Sequence, residues 1–116
     1  MKIRITSNNL RFRLGRDEAE KLGNGVRLEE TLRIGGSELV FSLIASGAAD
    51  AQMNDRRISV LIPSQQAKMW ASSDQVGINL KISGVEIAIE KDFKCLHGPT
   101  ENEAECFPNP LAQTIR

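Results

Sequence analysis

Two stretches of this chain match each other segment by segment. Leu10–Leu43 and Ile58–Glu90 align with one small gap. Leu10-Arg-Phe-Arg-Leu14 corresponds to Ile58-Ser-Val-Leu-Ile62, and Asp17-Glu-Ala-Glu-Lys-Leu22 to Gln65-Gln-Ala-Lys-Met-Trp70. Val26-Arg-Leu28 corresponds to Val76-Gly-Ile78, and each copy ends with a glycine turn and an alternating strand. A strand–helix–strand–strand unit used twice restricts the fold more than any short motif here, because both copies must cover the same apolar faces. The predicted fold is α+β, with copies of a duplicated β-α-β-β unit at about residues 10–44 and 58–91. The strands bury one face each, so they form a mostly antiparallel bent sheet or half-closed barrel carrying two short helices.

Alternation places the individual elements. Ile3 and Ile5 alternate with Lys2 and Arg4, and Leu10, Phe12 and Leu14 alternate with Arg11 and Arg13. With Ser7-Asn8-Asn9 as the turn, this is a hairpin with one apolar and one cationic face. A helix from about Arg16 to Leu22 begins with Asp17 and Glu18, acids that suit its positive N-terminal end, and stops at Gly23-Asn24-Gly25. The third strand runs from Val26 to Ile34, with Glu30 at an apolar parity that a bulge would rotate outward. The second helix starts after Pro63, with Ser64 as its cap, and places Ala67 and Trp70 where the first has Ala19 and Leu22. Residues 1–92 make one domain, and residues 93–116 make an irregular arm rich in proline, packed to about residue 107 and frayed beyond it.

Composition bounds the function. The 116 residues carry no net charge, which removes bulk attraction to nucleic acid. Aromatic residues are 4% of the chain and include no Tyr, so a stacking platform for single strands is missing too. The charge is uneven: residues 1–33 hold eight Lys/Arg against five Asp/Glu, and residues 81–106 three against six. The opening Met1-Lys-Ile-Arg-Ile-Thr6 alternates as a strand does and is not a signal peptide, and no apolar run is long enough to span a membrane. The expected location is cytoplasmic, where Cys95 and Cys106 are thiols or ligands rather than a disulfide.

Two constellations carry chemistry. Cys95, His97 and Cys106, with Glu101, Glu103 and Glu105 between them, supply zinc donors at a spacing unlike that of a finger or ribbon. The competing account makes one Cys a small apolar packing residue and the single His a surface residue. Lys2, Arg4, Arg11 and Arg13 form a cationic sheet face able to hold an acidic partner or anion, or to pair internally with the acidic C-terminal segment. Phosphate loops, nucleophile elbows and the zinc-protease helix motif do not occur in the sequence.

The opening Met1-Lys-Ile-Arg-Ile…Leu10-Arg-Phe-Arg-Leu14, the segment Trp70-Ala-Ser-Ser-Asp-Gln-Val-Gly77, and the end Glu90-Lys-Asp-Phe-Lys-Cys-Leu96…Phe107-Pro-Asn-Pro110 together resemble a small uncharacterised bacterial protein family. The resemblance implies a stand-alone cytosolic bacterial protein and brings no site residues with it. It places Cys95 inside a shared stretch.

The expected function is a non-catalytic binding or protein-interaction module without cofactor. Its partner would be an unidentified protein or small acidic ligand, with a homodimer through a free strand edge as one form. The alternative is a small metal-dependent protein or enzyme with zinc held by the arm. In either case Phe93 and Phe107 are expected to anchor the arm, each worth about 2–3 kcal/mol of burial. Truncation after Asp92 should then lower the melting temperature markedly, while added salt should barely change it. An unchanged melting curve would make the arm a free tail.

Overall fold

Period-two alternation of branched aliphatic residues, broken by short polar or glycine turns, sets four hairpins in the computed structural model, which describes residues 1–93. These are β1 (Lys2–Thr6) with β2 (Asn9–Leu14), β3 (Leu28–Ile34) with β4 (Ser37–Ser46), β5 (Asp50–Asn54) with β6 (Arg57–Pro63), and β7 (Gly77–Ile82) with β8 (Val85–Lys91). Helix α1 (Arg16–Gly23) follows β2, and helix α2 (Ser64–Ser72) follows β6. The turns place Ser7, Asp55, Arg56 and Ser83 at positive φ, and Gly35 and Gly84 share that conformation.

The hairpins assemble into two four-stranded sheets, not one bent sheet, and the sheets do not close into a barrel. The first sheet has the order β1-β2-β8-β7 and the second β3-β4-β6-β5. Each therefore takes one hairpin from each half of the chain. The joints are the parallel pairs β2/β8 and β4/β6, and the four hairpin pairings are antiparallel.

Pairing register fixes the two faces of each sheet. In the first, Ile3, Phe12, Ile89 and Ile78 form one inward row and Ile5, Leu10, Ile87 and Leu80 the next. In the second, Leu28, Leu43, Val60 and Ala51 align, followed by Glu30, Phe41, Ile58 and Met53. Phe12, Leu14, Leu43, Val60, Ile62 and Ile89 are almost fully buried. The expected bulge at Glu30 is absent, since the β3/β4 register runs unbroken through it. Its carboxylate is exposed because it stands at the sheet edge, 3.8 Å from the N-terminal amine. Leu32 and Ile34 are exposed for a related reason: β6 pairs with β4 only from Val40 onward, so the tip of the β3–β4 hairpin projects past the sheet.

The helices close one end of the core, with Ala19, Leu22, Ala67 and Trp70 all buried. The Trp70 indole N–H donates to the Val76 carbonyl at 3.0 Å, and the Lys91 ammonium lies 5.5 Å from the ring centroid. At the start of α1, the Gly15 N–H donates to the Glu18 carboxylate at 3.0 Å, and the N-terminal ammonium donates to it at 2.6 Å. Burial works against ionisation of Glu18, but these donors outweigh it and hold the carboxyl below the usual carboxylate range. Ser64 does not cap α2; its hydroxyl donates instead to the Ser46 carbonyl at 2.9 Å. Phe93, the first expected anchor of the arm, is 42% exposed, while Phe107 lies outside the described residues.

The helices meet at Gly23. A Cβ placed there would lie 2.7 Å from the Ala71 Cβ and 3.6 Å from the Ala67 carbonyl oxygen, so glycine is required by close approach. Gly23→Ala should cost about 1–3 kcal/mol by overpacking. Urea denaturation should show a lowered midpoint, whereas Gly36→Ala, where a Cβ meets open space, should leave it nearly unchanged.

Candidate functional site

The first sheet carries the predicted cations on its outer face. Because β1 and β2 are antiparallel, Lys2 stands directly opposite Arg13 and Arg4 opposite Arg11. Strands β8 and β7 extend these rows across the sheet. The row at the helix end reads Lys2, Arg13, Glu90, Gly77, the middle row Arg4, Arg11, Ala88, Asn79, and the far row Thr6, Asn9, Glu86, Lys81.

Like charges facing across strands are unfavourable unless compensated. Glu90 supplies most of the compensation, with one carboxylate oxygen 3.6 Å from the Arg13 Nε and the other 3.6 Å from the Arg11 Nε. Lys2 pairs with Asp92 at 3.1 Å. The structure thus brings all four predicted cations together but ties Lys2, Arg11 and Arg13 to carboxylates at or just past the end of β8. No carboxylate lies within 4.0 Å of Arg4 among the described residues. Lys81, missed in the sequence because its strand could not be assigned to this sheet, joins the face from β7.

A second feature lies between the sheets, at the end away from the helices. A cleft of about 300 Å³ is bordered by Ile5 and Leu10 from the first sheet and by Ala51, Met53 and Ile58 from the second. Val60 and Ile87 are buried beneath, Val85 is half-buried, and Ser7, Asn8, Asn9 and Gln52 form a polar rim. Met53 is 76% exposed and Ile5 61%, although both stand on inward-facing rows. Nothing in the sequence marks this cleft, since its walls are ordinary core-parity residues at strand ends.

A larger cavity, of about 530 Å³, lies beside α1 and the end of β8, lined by Arg16, Glu20, Asp74, Lys91, Asp92 and Phe93 among others. Its charges are mixed, and Lys91 is engaged through a 2.7 Å bond to the Ser73 carbonyl. The predicted zinc donors Cys95, His97 and Cys106 lie outside the described residues. Among the described residues, no group of three or more His, Cys, Asp or Glu stands close enough to hold a metal ion. No helix among them is long and apolar enough to cross a membrane.

The chain belongs to a family of unknown function, DUF7009, whose model matches residues 1–111. No curated protein and no solved structure matches it.

The charge arrangement gives a direct test. Glu90→Gln should leave Arg11 and Arg13 without their shared partner and lower stability by about 0–1 kcal/mol, since the groups are partly exposed. Urea melts at low and high salt should show the loss at low salt and little of it at high salt. A salt-independent loss would mean that Glu90 acts through packing.

Proposed function

We propose that this chain is a non-catalytic binding module of the bacterial cytosol, built from two copies of one unit, which takes an apolar side chain of a protein partner into the cleft between its sheets. The observation that carries this reading is the chemistry of that cleft. Its walls are aliphatic and methionine side chains, and its rim is hydroxyl and amide. Such a lining suits burial of an apolar group, with a few hydrogen bonds to orient what carries it. Methionine adapts to guests of different shape, and Met53 stands at the opening. The bacterial and cytosolic parts of the reading rest on the resemblance described above. The duplicated unit is supported by the sequence match and by the equivalent places of β2, α1, β3 and β4 and of β6, α2, β7 and β8 along the chain.

A naphthalene sulfonate dye that fluoresces in apolar surroundings tests the cleft without a known partner. The unmodified protein should bind it saturably. Met53→Glu and Ile5→Glu should each weaken binding by about tenfold, the equivalent of about 1.4 kcal/mol. Met69→Glu, at an exposed position on α2, should bind as the unmodified protein does. Equal binding by all variants would remove the cleft as the receiving surface.

A further inference from the structure

The outer faces of the two sheets can be compared position by position, because both are centred on a parallel strand pair. In the second sheet the row Gln52, Ser59, Ser42, Glu29 corresponds to Arg4, Arg11, Ala88, Asn79 in the first. The neighbouring Arg57 corresponds to Asn9, since each precedes the matched Ile58 or Leu10. The small residue at the centre of the second sheet, Ser42, is only 2% exposed. Glu29, opposite Ser42 on β3, binds Arg57 of β6 at 2.6 Å, so a guanidinium–carboxylate pair spans the intervening strand β4. The bond from Arg57 holds the Glu29 carboxyl below the usual carboxylate range.

The first sheet lacks this bridge. The two diagonal positions are Asn9 and Asn79, neither of which is charged. The small central residue, Ala88, instead floors an open depression of about 360 Å³. Arg11 and Lys81 line it on opposite sides together with the two asparagines, and Arg4 faces Arg11 from the edge strand. Glu86, also in the lining, stands opposite Lys81, and Glu90 lies 3.6 Å from the Arg11 Nε, so two of these three cations have a carboxylate neighbour and, among the described residues, Arg4 does not. The second sheet closes the place with a carboxylate bound across its central strand; in the first, among the described residues, no ion pair spans Ala88.

We infer that the depression over Ala88 is a binding site for a small phosphate-bearing anion, which takes the place that the Glu29 carboxylate fills on the other sheet. The Arg11 guanidinium supplies paired donors, Lys81 a point charge, and the Asn9 and Asn79 amides neutral donors. Lys2 and Arg13 do not line the depression; Arg11 lines it and shares Glu90 with Arg13. This inference does not rest on the apolar cleft, although Asn9, at the turn into β2, borders both.

Titration of the isotope-labelled full chain with inorganic phosphate and with phenyl phosphate, followed by amide NMR, tests it. The side-chain amides of Asn9 and Asn79 and the backbone amide of Ala88 should shift saturably. Saturation by phenyl phosphate at lower concentration than by phosphate identifies an ester as the ligand class, and the reverse identifies free phosphate. Arg11→Gln should weaken binding by about tenfold. Asn79→Glu, which gives this sheet the carboxylate of the other, and Ala88→Leu, which fills the depression and leaves every charge in place, should abolish it. Arg33→Gln, on the outer face of the second sheet, should have no effect. Non-saturating shifts spread over the surface, or undiminished binding by Asn79→Glu or Ala88→Leu with native amide spectra, would overturn the site.

Discussion

The two parallel pairs, β2 with β8 and β4 with β6, hold the molecule together. Every hairpin can form locally, but no hairpin alone has a buried face. The inward rows become continuous only when a hairpin from one half pairs with a hairpin from the other. Phe12 beside Ile89, and Leu43 beside Val60, are the central neighbours of the core. The chain entropy lost in bringing Leu10 to Ile87 is therefore offset only by burial of both faces together. Neither half has a core by itself, and the unit of stability is the pair.

With the strands joined in this way, the helices decide which end of the core is closed. Both follow a strand of a parallel pair, and both emerge at the same end of the sheets. Gly23 against Ala71 lets them approach closely, and Leu22, Ala67 and Trp70 fill the space beneath. At the other end the chain reverses through short turns at residues 7–8, 35–36, 55–56 and 83–84. Such turns carry no apolar side chain to cover the inward rows. The exposure of Ile5 and Met53 is thus a consequence of where the helices are and not of a local irregularity.

Strands, helices and the cationic face of the first hairpin were legible in the sequence because each depends on local period. Lys2, Arg4, Arg11 and Arg13 share a face by alternation alone, whatever their surroundings. The partner of β2 was not legible, because any of several strands with the right parity would serve, and only packing in three dimensions selects β8. That choice brings Glu90 beside Arg11 and Arg13, and Ala88, Asn79 and Lys81 onto the same surface. The bulge expected at Glu30 failed for a similar reason. Apolar parity marks an inward direction but does not say how far the opposing layer extends, and at Glu30 the strand has reached the sheet edge. The cleft was invisible because it belongs to two sheets at once.

The ion pair between Lys2 and Asp92, at 3.1 Å, has a topological consequence. The backbone leaves the first sheet, builds the whole of the second between residues 28 and 63, and returns to the first beside its starting point. Over the described residues it is nearly a closed circuit, with residues 92 and 2 at its two ends. A circuit keeps its pairings wherever it is cut, so the register of both sheets does not require the break to be there. What the position of the break does set is the order of assembly during synthesis. The second sheet is encoded as one contiguous block and has all its strands by residue 63, whereas the first waits for its central strand until residue 91. Moving the break to the turn at residues 47–49 would exchange these roles, making the late-closing sheet the early one in an otherwise identical fold.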